Sequence, residues 1–349
     1  MQLESIHLSL VSTVLFQAFS LNMIPFVACS RIHIASRQFT ANVVNSACNV
    51  RRSQTTTTMS AGDGHLDFRV TDHAHRRNKD PNATFLVTGA NRGIGLEVSR
   101  QLLGRTKGTV IAACRNPATS RDLHEMQHAD GHKGRLDIVQ MDVTDQATVD
   151  RTADHVKDHY GRLDLLFNVA GILGDAKTTP GPERSVRLIE RDWLMQTLEV
   201  NAVGPVMLTK AMAPLLENSS VSRKGRGKSP GVGAPDGRPP AIVVNLSARV
   251  GSIGDNSLGG WHSYRMSKAM LNMWTKGLSL ELKRKGVWAF SYHPGTTDTG
   301  LSEPFQKNVK PEKLFTPSYT VGQLLAIVDS MEEVHSGGFY AFDGSTVVW

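Results

Sequence analysis

The sequence predicts an α/β protein built as a single doubly wound parallel sheet with helices on both faces. Short apolar, β-rich runs alternate with segments of helical periodicity from residue 83 onward, and strands separated by helices of that length join as parallel βαβ units. A glycine-rich turn, "TGANRGIG", follows the first run and opens the first helix. The 349 residues, 40% apolar and 20% charged, suffice for one large domain with an appendage.

"ATFLVTG" reads as the first strand and "IGLEVSRQLLG" as a helix closed by Gly104. "GTVIAAC" is the second strand, followed by a polar helix. "RLDIVQMDV" and "RLDLLFNVAG" are the third and fourth, with the helix "QATVDRTADHVKDHYG" between them. Two long helical stretches, "RDWLMQTLEVNAVGPVMLTKAMAPLLE" and "SYRMSKAMLNMWTKGLSLELKRKG", flank the strand "AIVVNLS". "VWAFSYHPG" and "GGFYAFDGS" supply two further strands. Residues 218–240, rich in Gly, Pro and basic side chains, read as a surface insertion because strand and helix resume on both sides.

The N-terminal part differs in composition. Glu4 is the one acidic residue before Gly62, whereas Arg31, Arg37, Arg51 and Arg52 stand among many Ser, Thr, Asn and Ala. Residues 1–60 therefore read as a targeting segment for a mitochondrion or plastid, the alternative being a disordered tail with no address. Their apolar stretch is broken by Gln17, Asn22 and Pro25 and makes a poor membrane span. Residues 61–81 read as a polar linker to a domain at 82–349. The net charge of +7 is concentrated in the leader and the insertion, without interleaved aromatics, which argues against nucleic-acid binding. Cys29, Cys48 and Cys114 form no disulfide framework or zinc pattern.

In the glycine turn, Gly89, Gly93 and Gly95 would let backbone N–H groups approach a pyrophosphate at a helix N-terminus, although G-x-x-x-G-x-G departs from the common dinucleotide spacing. Tyr264 and Lys268 are i and i+4 on a helix and share a face. A phenol titrates near 10, so reversible proton transfer near neutrality calls for a neighbouring cation, which Lys268 supplies. "HEMQH", residues 124–128, matches the zinc-peptidase pattern, but it falls on the polar crossover helix, and His132 follows Gly131 too closely for a third ligand. No metal site is expected.

The glycine turn, "NVAG" at 168–171 and "YRMSK" at 264–268, in this order on these elements, resemble the short-chain dehydrogenase/reductase family. "HPG" at 293–295 and the ending "GFYAFDGSTVVW" resemble its branch of sniffer-like and C-factor-like carbonyl reductases. The resemblance implies a Rossmann-like fold, a small-molecule carbonyl substrate and a homodimer or homotetramer. It implies that Tyr264 is the general acid/base and that Lys268 tunes it and holds the nicotinamide ribose. Asn201 would join a water-linked proton relay and Ser247 would act as the catalytic serine. Many members carry two consecutive serines and use the second, whose place is Ala248 here, so Ser252 is the competing candidate.

For the cofactor the resemblance implies Thr88, Gly89, Asn91, Arg92, Gly93, Ile94 and Gly95 at the turn. Asp142, Val143, Asn168, Ala170 and Gly171 would lie about the adenosine, and Pro294, Gly295, Thr297 and Thr299 at the other end, with Tyr264 and Lys268. NAD-selective members usually end the second strand in an acidic residue. Here Cys114 is followed by Arg115, which with Arg92 suits a 2′-phosphate and predicts NADP(H). The function expected is hydride transfer between NADPH and an aldehyde, ketone or quinone, or the reverse. A catalytically silent NADP(H)-binding regulator is the alternative. The substrate loops, 172–185 and 296–318, carry no readable code.

Overall fold

The computed structural model describes residues 65–175, 177–219 and 238–349, all within one compact unit, Ser60–Trp349. The expected leader and most of the 218–240 insertion lie outside the described residues. Seven strands form one sheet: β1 Thr84–Thr88, β2 Thr109–Cys114, β3 Leu136–Gln140, β4 Leu165–Asn168, β5 Ala241–Leu246, β6 Val287–His293 and β7 Phe339–Ala341. Their order is β3-β2-β1-β4-β5-β6-β7, with every neighbouring pair parallel. Central strands such as β1 are buried along their whole length, which is why they read as uninterrupted apolar runs.

Two apolar layers sandwich the sheet. One face carries Phe85, Val87 and Phe290 under helices α2, Gly93–Arg105, and α8, Pro317–Ser330. The other carries Leu86, Leu166 and Val243 under α4, Gln146–His159, α6, Gly204–Ser219, and α7, His262–Leu282. Side chains alternate across a strand, so consecutive residues Phe85 and Leu86 supply opposite layers. Each such side chain contributes about 1.5–3 kcal/mol on leaving water. The polar crossover helix α3, Arg121–His128, turns only Leu123 and Met126 inward.

Two local departures concern the site. The first long helical stretch is not continuous: α5, Arg191–Leu198, passes into α6 through a π turn at Glu199–Val203. The expected linker is also incorrect for residues 72–79, which form helix α1, Asp72–Lys79, capped by the Thr71 hydroxyl. Its guanidinium Arg77 is 1% exposed and pairs with Asp329 of α8 at 3.1 Å. Arg105 reaches the other oxygen of the same carboxylate at 3.0 Å, and Asn78 donates to it at 3.0 Å. A polar sequence thus becomes part of the domain because its arginine is neutralised beneath another helix.

Candidate functional site

The sheet reverses direction of growth at β1 and β4, the switch point where open α/β sheets bind ligands. A cleft of about 940 Å³ opens at these carboxyl ends. The turn residues Gly89, Asn91, Arg92, Gly93, Ile94 and Gly95 line it. So do Arg115, Asp142 and Val143 at one end, and Pro294, Gly295, Thr297 and Thr299 across from them. Ala170, Gly171, Ser247, Tyr264 and Lys268 complete its wall. Thr88, Asn168, Asn201 and Ser252 are not on its surface.

The turn fits a dinucleotide for steric reasons. A Cβ on Gly95 would stand 2.4 Å from the Gly89 carbonyl oxygen, so only glycine lets α2 start this close to β1. The helix begins without a side-chain cap, which leaves its first N–H groups for a ligand. Thr88 acts behind this turn: its hydroxyl accepts from the N–H groups of Val169 and Ala170 at 2.9 and 3.0 Å, tying β4 to β1. Arg92 and Arg115 line the cleft and form no ion pair among the described residues.

Tyr264 lies in the first turn of α7, and Lys268 Nζ stands 5.6 Å from the centre of its ring while donating to Leu246 O at 2.8 Å. The sequence leads one to expect a phenol drawn toward phenolate by this cation. The structure reverses that sign: burial pushes the Tyr264 phenol up and the Lys268 ammonium down to about 8. Withdrawal from water is the cause of both shifts.

Ser247 is buried and donates to Asn272 Oδ1 at 2.7 Å. Ser252, the competing serine, accepts from Asp255 N at 3.0 Å in its own loop. Asn201 sits in the π turn, fully buried. Its Oδ1 accepts from Ile172 N at 2.8 Å, and its Nδ2 donates to Ile172 O at 2.8 Å and to Ser267 Oγ at 3.1 Å. A Cβ on Gly171 would lie 3.2 Å from Asn201 Oδ1 and 3.8 Å from Lys268 Nζ, so glycine keeps a gap between these two groups. Asn168 is turned into the fold. Its side chain is off the cleft surface, donating to Asn245 Oδ1 at 2.8 Å and to Thr209 Oγ1 at 3.3 Å, so it braces β4 against β5 and α6.

Three further residues escape sequence reasoning. Glu183, buried in the loop after β4, accepts from Ser263 N at 3.1 Å and from the Ser263 hydroxyl, capping α7 from another segment. Trp261, which precedes α7 at φ 51°, lines the cleft between Tyr264 and Phe305 at ring distances of 6.3 and 5.4 Å. His293 ends β6 on the cleft wall, held neutral by burial that lowers it to about 4. The glycine pair before Trp261 and the "HPG" triplet were the available signals. On α3, His124 and His128 turn to the carbonyls of Pro117 and His124, and Glu125 pairs with Arg121. Among the described residues no group of three or more His, Cys, Asp or Glu is placed to hold a metal.

A parallel sheet with a glycine turn, a switch-point cleft and a Tyr–Lys helix defines a class of nucleotide-dependent oxidoreductases, and comparison with known proteins agrees. The family model for short chain dehydrogenases matches residues 83–228. A 1-hydroxy-2-glutathionyl-2-methyl-3-butene dehydrogenase of Rhodococcus sp. (strain AD45) is 29% identical over 267 residues, covering 76% of this chain and 100% of the relative. The structure of NADPH-bound carbonyl reductase from chicken fatty liver superposes with a TM-score of 0.64 at 28% identity, covering 77% of this chain and 99% of that one. Carbonyl reductase Sniffer of D. melanogaster gives 0.63 at 28% identity, with the same 77% and 99% coverage. The chain belongs to the short-chain dehydrogenase/reductase family of oxidoreductases.

Proposed function

We propose that this protein is an NADPH-dependent carbonyl reductase. The observation that carries the reading is Tyr264: a protonated phenol on the wall of a cleft that also holds an uncapped helix N-terminus and two guanidinium groups with no ion pair among the described residues. A protonated phenol can hand its proton to a carbonyl oxygen. The glycine turn would take the pyrophosphate, Arg92 and Arg115 the 2′-phosphate, Asp142 and Val143 the adenosine, and Lys268 with residues 294–299 the nicotinamide end. The bound cofactor would supply hydride to the carbonyl carbon. Tyr264 would then deliver its proton to the carbonyl oxygen, and Asn201 and Lys268, which both approach Gly171, would belong to the relay that restores it. The carbonyl reductase from chicken fatty liver, solved with NADPH, supports the cofactor.

Two further parts complete the reading. Exposed Met266, Met270, Met273 and Leu280 form one stripe along α7. A two-fold axis through Met273 would set Met266 against Leu280, which suits a homodimer. Residues 1–60 carry an organellar address. The second functional reading, a silent NADP(H)-binding regulator, is favoured by one observation, the Ser247 proton directed at Asn272. Residues 60–349 screened for NADPH oxidation against aldehydes, ketones and quinones, beside Tyr264→Phe, separate the two. A reductase oxidises NADPH and loses several orders of magnitude in turnover, but little NADPH affinity, in the variant. A regulator quenches NADPH fluorescence and oxidises none.

A further inference from the structure

The proton of Ser247 can be located from its partners. Asn272 is 3% exposed, and its amide nitrogen donates to Gly251 O at 3.2 Å. A backbone carbonyl has only lone pairs to offer, so the NH₂ end of the amide must face Gly251 and the oxygen end must face Ser247. An amide oxygen donates nothing. The hydrogen in the 2.7 Å contact is therefore Ser247's own, and a serine hydroxyl has one. Toward the cleft, Ser247 presents lone pairs, which cannot bond a carbonyl oxygen. Rotating the proton toward a substrate would leave Asn272 Oδ1 buried with no donor among the described residues.

Neighbouring residues do not replace this proton. Ala248 lines the cleft without a hydroxyl, and Ser252 lies off its surface. The carbonyl that fixes Asn272 belongs to a glycine whose Cβ would stand 2.6 Å from Lys268 Cβ, so one close approach seats both Lys268 and the amide.

We infer that Asn272 is a positioning residue that fixes Ser247 as a hydrogen-bond acceptor, so that the proton polarising a bound carbonyl is Tyr264's and the serine supplies none. The inference rests on the carbonyl-reductase reading. It distinguishes Ser247, which faces ligand donors such as the hydroxyl of a product alcohol, from an oxyanion-stabilising serine.

The test is difference infrared spectroscopy of carbonyl-¹³C benzaldehyde bound to the NADP⁺ complex, where a hydrogen bond lowers the C=O stretch. Wild type should show a lowered stretch that Tyr264→Phe abolishes and Ser247→Ala leaves in place, with turnover in Ser247→Ala falling by less than about fivefold. Ala248→Ser should lower the stretch further and raise turnover tenfold or more, toward the roughly 10²–10³ typical of an oxyanion donor. Asn272→Ala should also lower the stretch by releasing the proton, and should it fail to fold, the two serine-position variants decide. A return of the stretch toward the free probe's in Ser247→Ala, with a roughly 10²–10³-fold loss of turnover, would overturn the inference while keeping the reductase reading. A wild type with no Tyr264-dependent shift would overturn both.

Discussion

Replacing Lys268 by methionine tests whether the centre of the site is held at the expense of the fold. The side chain is 4% exposed, and burial takes its ammonium from 10.5 to about 8. At about 1.4 kcal/mol per tenfold, that displacement corresponds to a burial cost on the order of 3 kcal/mol at neutral pH. Between these two values the unfolded chain binds the extra proton, so wild-type stability rises with pH through the window from about 8 to 10.5. Methionine keeps most of the apolar stem and removes the charge, but leaves Leu246 O without its donor, a loss of about 1–3 kcal/mol. Lys268→Met should thus be as stable as wild type at pH 7, or up to about 2 kcal/mol more stable, and about 1–3 kcal/mol less stable than wild type by pH 10.5, a relative change of roughly 3 kcal/mol. Urea unfolding followed by tryptophan fluorescence at pH 7, 9 and 10.5 measures it. NADPH oxidation should fall by about 10² or more. A variant destabilised by several kcal/mol at pH 7, with a pH-independent difference, would refute the argument.

Other outcomes follow from the same structure. Replacing Arg92 and Arg115 by alanine should weaken NADPH by about 1.5–3 kcal/mol per contact and leave NADH nearly unchanged in a titration of cofactor fluorescence. Asp329→Ala leaves Arg77 buried without its partner and should cost about 3–5 kcal/mol, a fall of about 10 °C in Tm. Arg105→Ala, whose side chain is 39% exposed, should cost under about 1 kcal/mol in the same calorimetry. Met273→Glu should shift the sedimentation coefficient to that of a monomer. Removing residues 1–60 should leave Tm and turnover unchanged in vitro while abolishing organelle import of a fluorescent fusion.

The sheet was legible because strands covered on both faces announce themselves as apolar runs, and the glycine turn because its residues answer to backbone contacts. Tyr264 and Lys268 could be paired from their spacing alone. Spacing gives proximity, however, and not burial, and it is burial that decides the direction in which both groups titrate. The unread features depend on partners far along the chain. Arg77 meets a carboxylate 252 residues away, and Glu183 caps a helix 80 residues away. Neither leaves a periodic trace in the sequence. The serine question stayed open for the same reason: strand alternation orients Ser247, but the fate of its proton depends on an amide on α7 and a carbonyl in the loop between.

Sequence kinship and mechanical integrity draw the edge of this domain in different places. The family match starts at residue 83, just after α1. Yet Leu66 N donates to Gly344 O at 2.9 Å, Thr71 N to Asp329 O at 2.9 Å, and Arg77 sits beneath α8. The chain's first described residues therefore clasp α8 and the turn that follows β7. A chimera cut at the homology edge would inherit the catalytic machinery and lose the clasp, leaving a buried carboxylate to the partly exposed Arg105 alone. Exchange of such domains between relatives calls for a seam upstream of residue 65, where shared ancestry no longer marks it.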